Sequence, residues 1–387
     1  MKIHFVVASE QVIQNIIPIM MDPPDEVHIA VNEEIKSSLS LENLKRFIKN
    51  KVSVKYLIKS NFPSSVAEVS NWVEQYLSSP KLRDAELTVN LTGGTKQMAL
   101  GIYRALSKSA PKAQAIYVNT LSGCVEFVPL DDTTPPKIKE SIPEGLLSIQ
   151  LQFYAYGHDM HSSYSSHNNL ISDRKSLTKN FLEESHRNGH NLVKAINSVA
   201  SRYSGEISSS NYSSFSFVFN KEEIDRRRWS DLLDQIVTAG LVGYNIDGGL
   251  YKYVPKSYEA YLYLAGGWLE EYCYNVVASL PGFEVIRNVI ITSIQDDKVP
   301  NELDVVIGHN NRMAIIECKA SSDEKIINNA IYKLNSLSRV LGGSLVTKIL
   351  VCPMAKQSDQ RSSEHGIIMI NNLDDVIHLG DRLKNLL

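Results

Sequence analysis

Residues 301–319 read NELDVVIGHNNRMAIIECK, and this stretch decides the fold of the C-terminal third. Two apolar runs, 302–307 and 313–318, are separated by Gly308-His309-Asn310-Asn311, a pattern typical of two antiparallel strands joined by a tight turn. Because strand side chains alternate, Glu317 and Lys319 point to the same face. If Asp304 also faces that side, two carboxylates and an ammonium meet at one end of the hairpin.

Two carboxylates at this spacing suit a hard divalent cation, which prefers oxygen ligands. Such an ion polarises a phosphate oxygen and activates a water, while a lysine orients that water or stabilises the charge of the pentacovalent phosphorane. Glu270, in a predicted helix, adds a third carboxylate, and Glu271 competes for the same role. The simpler interpretation of Glu317-x-Lys319 is a pair of surface charges. Charges that follow the apolar Ile315-Ile316 are nevertheless costly unless they have partners.

The pattern around the hairpin predicts a complete α/β unit. A helix over 258–280 ends at Pro281-Gly282, because proline cannot continue the backbone hydrogen bonds of a helix. The remaining predicted elements are strands over 283–292, 348–351 and 367–370, and helices over 324–341 and at the C-terminus.

The first third of the chain alternates strand-like and helical runs. The predicted strands cover 3–8, 26–31, 52–58, 86–91, 115–118 and 125–129, and the predicted helices cover 64–77 and 95–107. This alternation favours an open α/β sheet that is largely parallel.

A glycine pair with two hydroxyls lies between the fourth strand and its helix, in Val89–Gln97 (VNLTGGTKQ). Glycine lets backbone N–H groups approach a ligand, and a helix N-terminus favours anions. The spacing is neither that of a P-loop nor that of a dinucleotide motif. The simpler interpretation is that Thr95 only caps its helix. Ser9-Glu10-Gln11 follows the first strand, so both loops lie where open sheets bind ligands.

The middle of the chain differs in character from both ends. Residues 157–169 are polar and aperiodic, which predicts a linker or mobile loop, and a helix is predicted over 170–203. After a Ser-rich break come helices near 221–224 and 230–239, then two short strands around Gly248-Gly249. This order indicates a winged helix-turn-helix, with Arg226-Arg227-Arg228 at its second helix.

Composition limits the classes of protein that fit. A chain of 387 residues is too long for one ordinary domain, and 43% hydrophobic with 21% charged residues is typical of a globular protein. Forty Lys and Arg against 43 Asp and Glu give a net charge of −3, so any contact with nucleic acid is local.

The four widely separated cysteines predict neither a zinc site nor a disulfide framework, which fits a reducing cytoplasm. The apolar run near the N-terminus is typical of a buried first strand rather than a signal peptide. No stretch approaches the roughly 18 apolar residues of a membrane span. We therefore expect a soluble cytoplasmic protein with no membrane partner.

Two sets of residues carry a resemblance to known families. Glu270, Asp304 and Glu317-x-Lys319, in this order, resemble the PD-(D/E)XK nuclease core, with Asn301-Glu302-Leu303-Asp304 where that family has Pro-Asp. Thr-Gly-Gly-Thr-Lys after a strand, in a domain that opens with a strand and a Ser-bearing loop, resembles the CRISPR-associated Rossmann fold (CARF) domain. The whole chain resembles the CARF-fused nucleases of type III CRISPR defence.

The resemblance implies an α/β protein of three parts. These are a Rossmann-like CARF ligand-sensing domain over 1–144, a linker and small winged-helix-like region over 145–256, and a restriction-endonuclease-like α/β domain over 257–387. It implies a homodimer that is activated by cyclic tetraadenylate and that cleaves single-stranded RNA, DNA or both, or nicks supercoiled DNA, with Mn²⁺ or Mg²⁺.

The resemblance also assigns roles to individual residues. The implied catalytic residues are Glu270, Asp304, Glu317 and Lys319. The implied metal ligands are Glu270, Asp304, Glu317 and the main-chain carbonyl of Cys318. The implied cyclic-nucleotide site is Ser9, Glu10, Gln11, Asn32, Thr92, Gly93, Gly94, Thr95 and Lys96. The role of Glu302 is left open.

Other interpretations remain at this point. The chain could be a transcription regulator controlled by a cyclic oligoadenylate, with an inactive C-terminal domain. It could also be a ring nuclease that degrades its ligand through Lys96 or Ser9.

Three weaker signals also have two interpretations each. The cluster His158, Asp159, His161 and His167 predicts either a transition-metal site or a solvated loop. The three arginines 226–228 contact substrate phosphates or pair with Glu222, Glu223 and Asp225. The winged helix binds DNA or packs between the end domains.

Overall fold

The computed structural model describes residues 1–110, 112–131, 138–162, 174–187, 191–203, 207–295, 300–355 and 360–387. Within these residues the chain forms a seven-stranded, a three-stranded and a six-stranded sheet. The predicted α/β class is confirmed, and the three sheets follow one another along the chain, apart from one strand.

The N-terminal sheet has the strand order β3-β2-β1-β4-β5-β6-β7. Strands β1 to β5 are parallel, and β6 and β7 are antiparallel additions at one edge. The strands are β1 Lys2–Val7, β2 Glu26–Ala30, β3 Lys55–Lys59, β4 Glu86–Asn90, β5 Gln114–Asn119, β6 Cys124–Val128 and β7 Lys139–Ser141.

Helices cover both faces of this sheet. They are α1 Val12–Met21, α2 Leu39–Phe47, α3 Val66–Leu77, α4 Pro80–Arg83 and α5 Lys96–Ser109, with a π-turn at Ile48–Val52. Val6 packs in one core with α1 and α2, whereas Phe5 and Val7 pack in the other with α3 and α5. This division follows from the alternation of side chains along a strand. The sequence predicted α3 and α5 but missed α1, whose apolar residues include Pro18 and show no polar face.

The middle region is a winged helix with a sheet of order β10-β11-β9. Its elements are α7 Lys175–Ser185, α8 Leu192–Arg202, β9 Phe217–Asn220, α9 Lys221–Arg227, α10 Ser230–Thr238, β10 Val242–Asp247 and β11 Leu250–Pro255. The single helix predicted over 170–203 is wrong, because two helices occupy the described part of that range. The wing has a third strand, β9, that sequence inspection missed.

The C-terminal sheet has the order β16-β15-β14-β13-β12-β8. Its strands are β8 His158–Ser162, β12 Glu284–Ser293, β13 Asn301–His309, β14 Arg312–Cys318, β15 Val346–Val351 and β16 Ile367–Ile370. Helix α6 Ile149–Ala155 precedes β8, which pairs antiparallel with β12. The linker prediction is therefore wrong for 158–162, and 163–169 lies outside the described residues.

The helix predicted over 258–280 is broken. It consists of α11 Tyr258–Leu262, a π-turn Tyr263–Gly267 and α12 Trp268–Ala278, with a φ of +138° at Gly266. Only glycine adopts such a φ at low cost, so the Gly266-Gly267 pair permits the break. The remaining helices are α13 Glu324–Val340, α14 Gln360–Glu364, α15 Leu373–Ile377 and α16 Leu379–Leu386, with a 3₁₀ turn at Gly343–Leu345.

One hydrophobic core joins the middle region to the C-terminal sheet. Phe181 of α7 and Trp268 of α12 are both fully buried, and their ring centroids are 5.9 Å apart. The same core contains Val305 of β13 and Ile316 of β14. The winged helix is therefore held against the sheet that carries the predicted metal ligands.

A buried ion pair ties the start of α7 to α12. Glu271 has no exposed surface, and Arg174 donates to it through Nε at 3.0 and 3.1 Å and through Nη2 at 2.7 Å. The Thr178 hydroxyl donates to the same carboxylate at 3.1 Å. Glu271 is thus engaged in holding the fold.

No helix in the described ranges has the length and apolar character that a membrane crossing requires. All four cysteines are buried and free.

Replacing Glu271 with alanine leaves the Arg174 guanidinium buried without its main carboxylate. We expect Glu271→Ala to lower the free energy of unfolding by roughly 3–5 kcal/mol, measured by urea denaturation. The control is Glu183→Ala, which removes an exposed ion pair with Lys179 at 3.8 Å. We expect this control to change the free energy of unfolding by less than about 1 kcal/mol. Equal losses in the two variants would contradict the structural role of Glu271.

Candidate functional site

The register of β13 and β14 sets two carboxylates side by side. Val305 lies opposite Ile316, so Asp304 and Glu317 occupy the next cross-strand position and share a face. Asp304 is 7% exposed and Glu317 is 1% exposed. The backbone N–H of Cys318 donates to Asp304 Oδ2 at 2.7 Å, which orients that carboxylate.

Three oxygen groups converge on the ammonium of Lys319. Its Nζ lies 2.7 Å from Glu317 Oε1, 3.5 Å from Asp304 Oδ2 and 3.0 Å from the carbonyl oxygen of Cys318. These oxygens are three of the four metal ligands that the sequence suggested. The positively charged ammonium of Lys319 already lies among these oxygens. The three oxygen groups therefore suit a small hard cation.

A second lysine, Lys333 of α13, was not predicted. It donates to Glu317 Oε1 at 3.0 Å and Oε2 at 2.8 Å, and it lies 3.9 Å from Asp304 Oδ1. The sequence gives no local signal for it, because Lys333 is one polar position among several on an amphipathic helix. Two buried carboxylates thus share two lysines.

Glu270 and Glu271 have different surroundings in the structure. Glu271 is bound by Arg174, as described above, whereas half-buried Glu270 forms no hydrogen bond or ion pair with any described residue. Glu270 lies close enough to Asp304 and Lys319 to interact with both electrostatically. Of the two neighbours, Glu270 is therefore the one available at the site.

Burial changes the acidity of these groups. Burial, and next the charge of Asp304, raise the pKa of Glu270 well above its usual range. The same two causes raise the pKa of Glu317, with Lys319 and Lys333 acting in the opposite direction. Burial acts to lower the pKa of Lys319, but the charges of Asp304 and Glu317 outweigh burial and raise it. The lysine therefore keeps its proton.

The described residues contain no group of three or more His, Cys, Asp or Glu side chains that could hold a metal ion. Of the histidine cluster in the sequence, His161 hydrogen-bonds Thr292 at 3.2 Å, and His167 lies outside the described residues. At the hairpin, two carboxylates and a carbonyl gather around Lys319, and Glu270 stands beside them.

The N-terminal loops meet at a topological switch point. Strands β1 and β4 are neighbours in the sheet, while β2 and β3 lie on the far side of β1. Loops that follow such strands border the crevice where open α/β sheets bind ligands. Ser9-Glu10-Gln11 follows β1, and 92–96 follows β4, so the structure brings the two predicted loops together.

The glycine pair is required by close packing against β1. A Cβ on Gly93 would lie 2.3 Å from the carbonyl oxygen of Val7, a distance that real Cβ atoms essentially never show. Gly94 has a φ of +80°, and its Cβ would lie 2.8 Å from a Val7 methyl. This backbone approach brings the turn to the end of β1.

Several predicted ligand residues already have structural partners. Thr95 caps α5 by accepting from Met98 N at 3.3 Å, and Thr92 Oγ1 accepts from Val118 N at 2.7 Å. Asn32 Oδ1 accepts from Ile35 N at 3.1 Å and so caps the turn after β2. A capping threonine still leaves the first backbone N–H groups of the helix directed at the crevice.

Other predicted ligand residues are available for contacts. Ser9 Oγ is buried without a hydrogen-bond partner in the described chain. Glu10 and Lys96 are exposed. Gln11 Oε1 accepts from the Tyr156 hydroxyl at 3.4 Å, and Tyr156 ends α6 just before the C-terminal sheet begins at β8. The ligand loop thus touches the segment that enters the second sheet.

Asn15 and Asn90 were not predicted, although they organise the crevice. Asn15 is fully buried, and its Nδ2 donates to the carbonyl oxygen of Val7 at 2.9 Å. Asn90 donates to Asn15 Oδ1 at 3.1 Å and accepts from Thr92 N at 2.9 Å. The sequence signal that could have identified Asn15 is its position among the apolar residues of α1.

Arg226, Arg227 and Arg228 of the middle region do not line the cavity that contains Glu270 and Lys319. Arg227 pairs with Glu223 at 3.1 Å, and its guanidinium lies over the ring of Trp229. Arg227 thus has the pairing with Glu223 that the sequence offered as one alternative.

Comparison with known proteins agrees with this arrangement. Residues 3–141 match the family model of the Card1 CARF domain, and residues 257–386 match that of the Card1-like endonuclease domain. Together the two models cover more than half of the chain. The protein belongs to the family that combines a Card1 CARF domain with a Card1-like endonuclease domain. No curated protein matches the chain.

Solved structures share the fold at low sequence identity. Can2 from Sulfobacillus thermosulfidooxidans, in complex with cyclic tetra-adenylate, has a TM-score of 0.76 at 19% identity over 99% of this chain and 96% of that one. VC1899 from Vibrio cholerae has a TM-score of 0.78 at 18% identity over 100% and 97%. A type III CRISPR defence DNA nuclease activated by cyclic oligoadenylate has 0.54 at 15%, over 99% of this chain and 51% of that one.

Replacing Lys333 with methionine removes one of the two cations shared by Asp304 and Glu317. We expect Lys333→Met to lower the free energy of unfolding at neutral pH by roughly 1–2 kcal/mol. A carboxyl whose pKa is raised by folding is protonated first in the folded state, so its charge is absent below that pKa. The loss should therefore shrink as the pH falls.

Urea unfolding at about pH 5 and about pH 8 tests this sign. The matched control is Lys325→Met, an exposed lysine on the same helix. A loss that is independent of pH, or one shared by the control, would show that Lys333 does not neutralise the pair.

Proposed function

We propose that the chain is a metal-dependent endonuclease, activated by a cyclic oligoadenylate, that cleaves single-stranded RNA, DNA or both, or nicks supercoiled DNA. The observation that carries the proposal is the convergence of Asp304, Glu317 and the Cys318 carbonyl on one cation, Lys319. The endonuclease family match supports the reaction class. Three domains with the boundaries 1–144, 145–256 and 257–387, a cytoplasmic location and a homodimer complete the proposal.

Asp304, Glu317 and the carbonyl of Cys318 would hold Mn²⁺ or Mg²⁺, with Glu270 beside them. Bound there, the ion supplies Lewis acidity and a water of lowered pKa. Lys319, protonated at neutral pH, orients the attacking water or stabilises the negative charge that develops on the phosphoryl oxygens. Glu270 would complete the carboxylate ligands of the ion, because it lies close to Asp304 and Lys319.

Cyclic tetraadenylate is the proposed activator. Can2 was solved with this ligand, and residues 3–141 form a CARF domain. The crevice offers the unpartnered hydroxyl of Ser9, the exposed ammonium of Lys96 and the first N–H groups of α5. These groups suit phosphates, because they are hydrogen-bond donors beside a helix N-terminus.

The crevice and the nuclease sheet are physically connected. Gln11 contacts Tyr156, and a Cβ on Gly343 would lie 3.4 Å from Gln11 Nε2. Gly343 follows the end of α13, and the middle of that helix carries Lys333, which binds Glu317. A ligand that moves the loop after β1 can therefore favour one position of α13, and activation is a shift between two populations.

The alternative of a transcription regulator is disfavoured by its own winged helix. Helix α10, in the position of a recognition helix, carries Asp231 and Asp234 and no lysine or arginine. Acidic side chains at that position repel DNA phosphates.

The nuclease assignment is tested with fluorescent single-stranded RNA, single-stranded DNA and supercoiled plasmid, in Mn²⁺ with and without cyclic tetraadenylate. Asp304→Asn and Lys319→Ala should each lower the cleavage rate by about a hundredfold or more, because the first removes a charged ligand of the ion and the second removes charge stabilisation at the phosphate. Asp247→Asn, at an exposed residue of the wing, is the control. Cleavage by both variants at the wild-type rate, or cleavage in EDTA, would end the proposal.

The activator site is tested by calorimetric titration of cyclic tetraadenylate. Lys96→Ala should weaken binding by about tenfold or more, because it removes a charge-assisted hydrogen bond. Lys108→Ala changes a lysine that pairs with Glu74 at the other end of α5 and should bind as wild type. Tighter binding of a cyclic oligoadenylate of another ring size would assign a different activator to the same crevice.

A further inference from the structure

A cavity of about 1190 Å³ lies between the winged-helix region and the nuclease sheet. Glu270 and Lys319 line one side, and residues of α8 and α11 line the other. Small-molecule sites usually measure about 300–1,000 Å³. The size and the mixed polar lining therefore suit an extended chain that reaches the catalytic groups.

Helix α8 forms a polar wall of this cavity. Lys194, Asn197 and Ser198 line it and are spaced i, i+3 and i+4, which places them on one face of the helix. Val193 and Ile196, on the neighbouring face of the helix, are buried in the core. The middle region thus presents polar side chains to the cavity that contains Glu270 and Lys319.

A hydrogen bond fixes this wall beside the catalytic lysine. Asn197 Nδ2 donates to the carbonyl oxygen of Ala320 at 2.9 Å, one residue beyond Lys319. Asn197 Oδ1 is buried and has no partner within the described ranges, so it can accept a hydrogen bond from a ligand. This hydrogen bond therefore holds helix α8 beside the end of β14.

The cations around the cavity differ in their availability. Arg174 and Arg287 are held by Glu271, at 2.7 and 3.6 Å, and Lys319 is held by Glu317. Lys194 is exposed and forms no ion pair with any residue that the structure describes. It is thus free to bind a phosphate, and phosphate contacts supply most of the affinity for a nucleic-acid backbone.

An aromatic ring lies on the same side of the cavity. Tyr258, at the start of α11, is half-buried and lines the cavity. Its ring stacks on Tyr261 with centroids 6.0 Å apart and an angle of 23°, so its orientation is set. The exposed part of a preoriented ring on a polar cavity can stack on an unpaired base.

We infer that helix α8 of the middle region and the start of α11 together supply the substrate-binding wall of the nuclease, with Lys194 on a phosphate and Tyr258 under a base. Stacking on Tyr258 requires a base that is not paired, so the wall selects single-stranded nucleic acid over duplex. The inference rests on the proposed nuclease function and names residues that would bind its substrate.

Fluorescence anisotropy tests the wall without cleavage. Labelled single-stranded RNA, single-stranded DNA and duplex DNA are titrated in EDTA with cyclic tetraadenylate present. Tyr258→Ala should weaken single-strand binding by about five- to a hundredfold. Tyr258→Phe keeps the aromatic ring and should bind single strands as the wild type does. Lys194→Ala should weaken binding and reduce the slope of log K against log salt by about one.

The matched control is Lys175→Ala, an exposed lysine on neighbouring α7 that does not line the cavity. In cleavage assays the wall variants should raise KM while kcat stays the same, because they act on binding. Wild-type affinity in both wall variants, or equal losses for duplex, would overturn the inference. A wild-type protein that binds single strands through these residues but never cleaves them would instead overturn the proposed nuclease.

Discussion

Two buried carboxylates at one cross-strand position repel each other and lose hydration, so they are stable only with positive charge between them. Asp304 and Glu317 are in this position, and Lys319 and Lys333 supply the charge. The register of the β13–β14 hairpin creates the pair, and the packing of α13 brings the second lysine to it. The same constraint favours the divalent ion that we propose for this site, because oxygen ligands that already surround an ammonium are arranged for a cation.

The N-terminal crevice depends on close approach of the backbone rather than on charge. Gly93 lies so near the end of β1 that any side chain would collide with Val7, and buried Asn15 and Asn90 connect the two loops. The crevice reaches the second sheet through Gln11 and Tyr156, and Gly343 lies near the same loop. Helix α13 then runs from that contact to Lys333. The two sites are therefore joined by packed elements, as a ligand-controlled enzyme requires.

Sequence patterns predicted elements whose signals are local. The hairpin of β13 and β14 and the capped helices α3 and α5 were found because alternation and capping residues lie within a few positions of one another. Helix α1 was missed because its apolar residues occupy several faces, and β8 was missed because a polar edge strand is defined by its pairing with β12. The break at Gly266 was missed because a helix pattern continues on both sides of it.

By itself the sequence determined the α/β class, the glycine turn after β4, and the presence of Asp304, Glu317 and Lys319 on one hairpin. Tertiary structure decided which neighbour of the pair Glu270 and Glu271 faces the site, because Arg174, 97 positions away in the chain, engages Glu271. It also brought Lys333 to Glu317 and placed Lys194 and Tyr258 on the same cavity as Lys319. Periodicity along a chain records which face of an element is buried. It holds no information about which distant residue that face will meet.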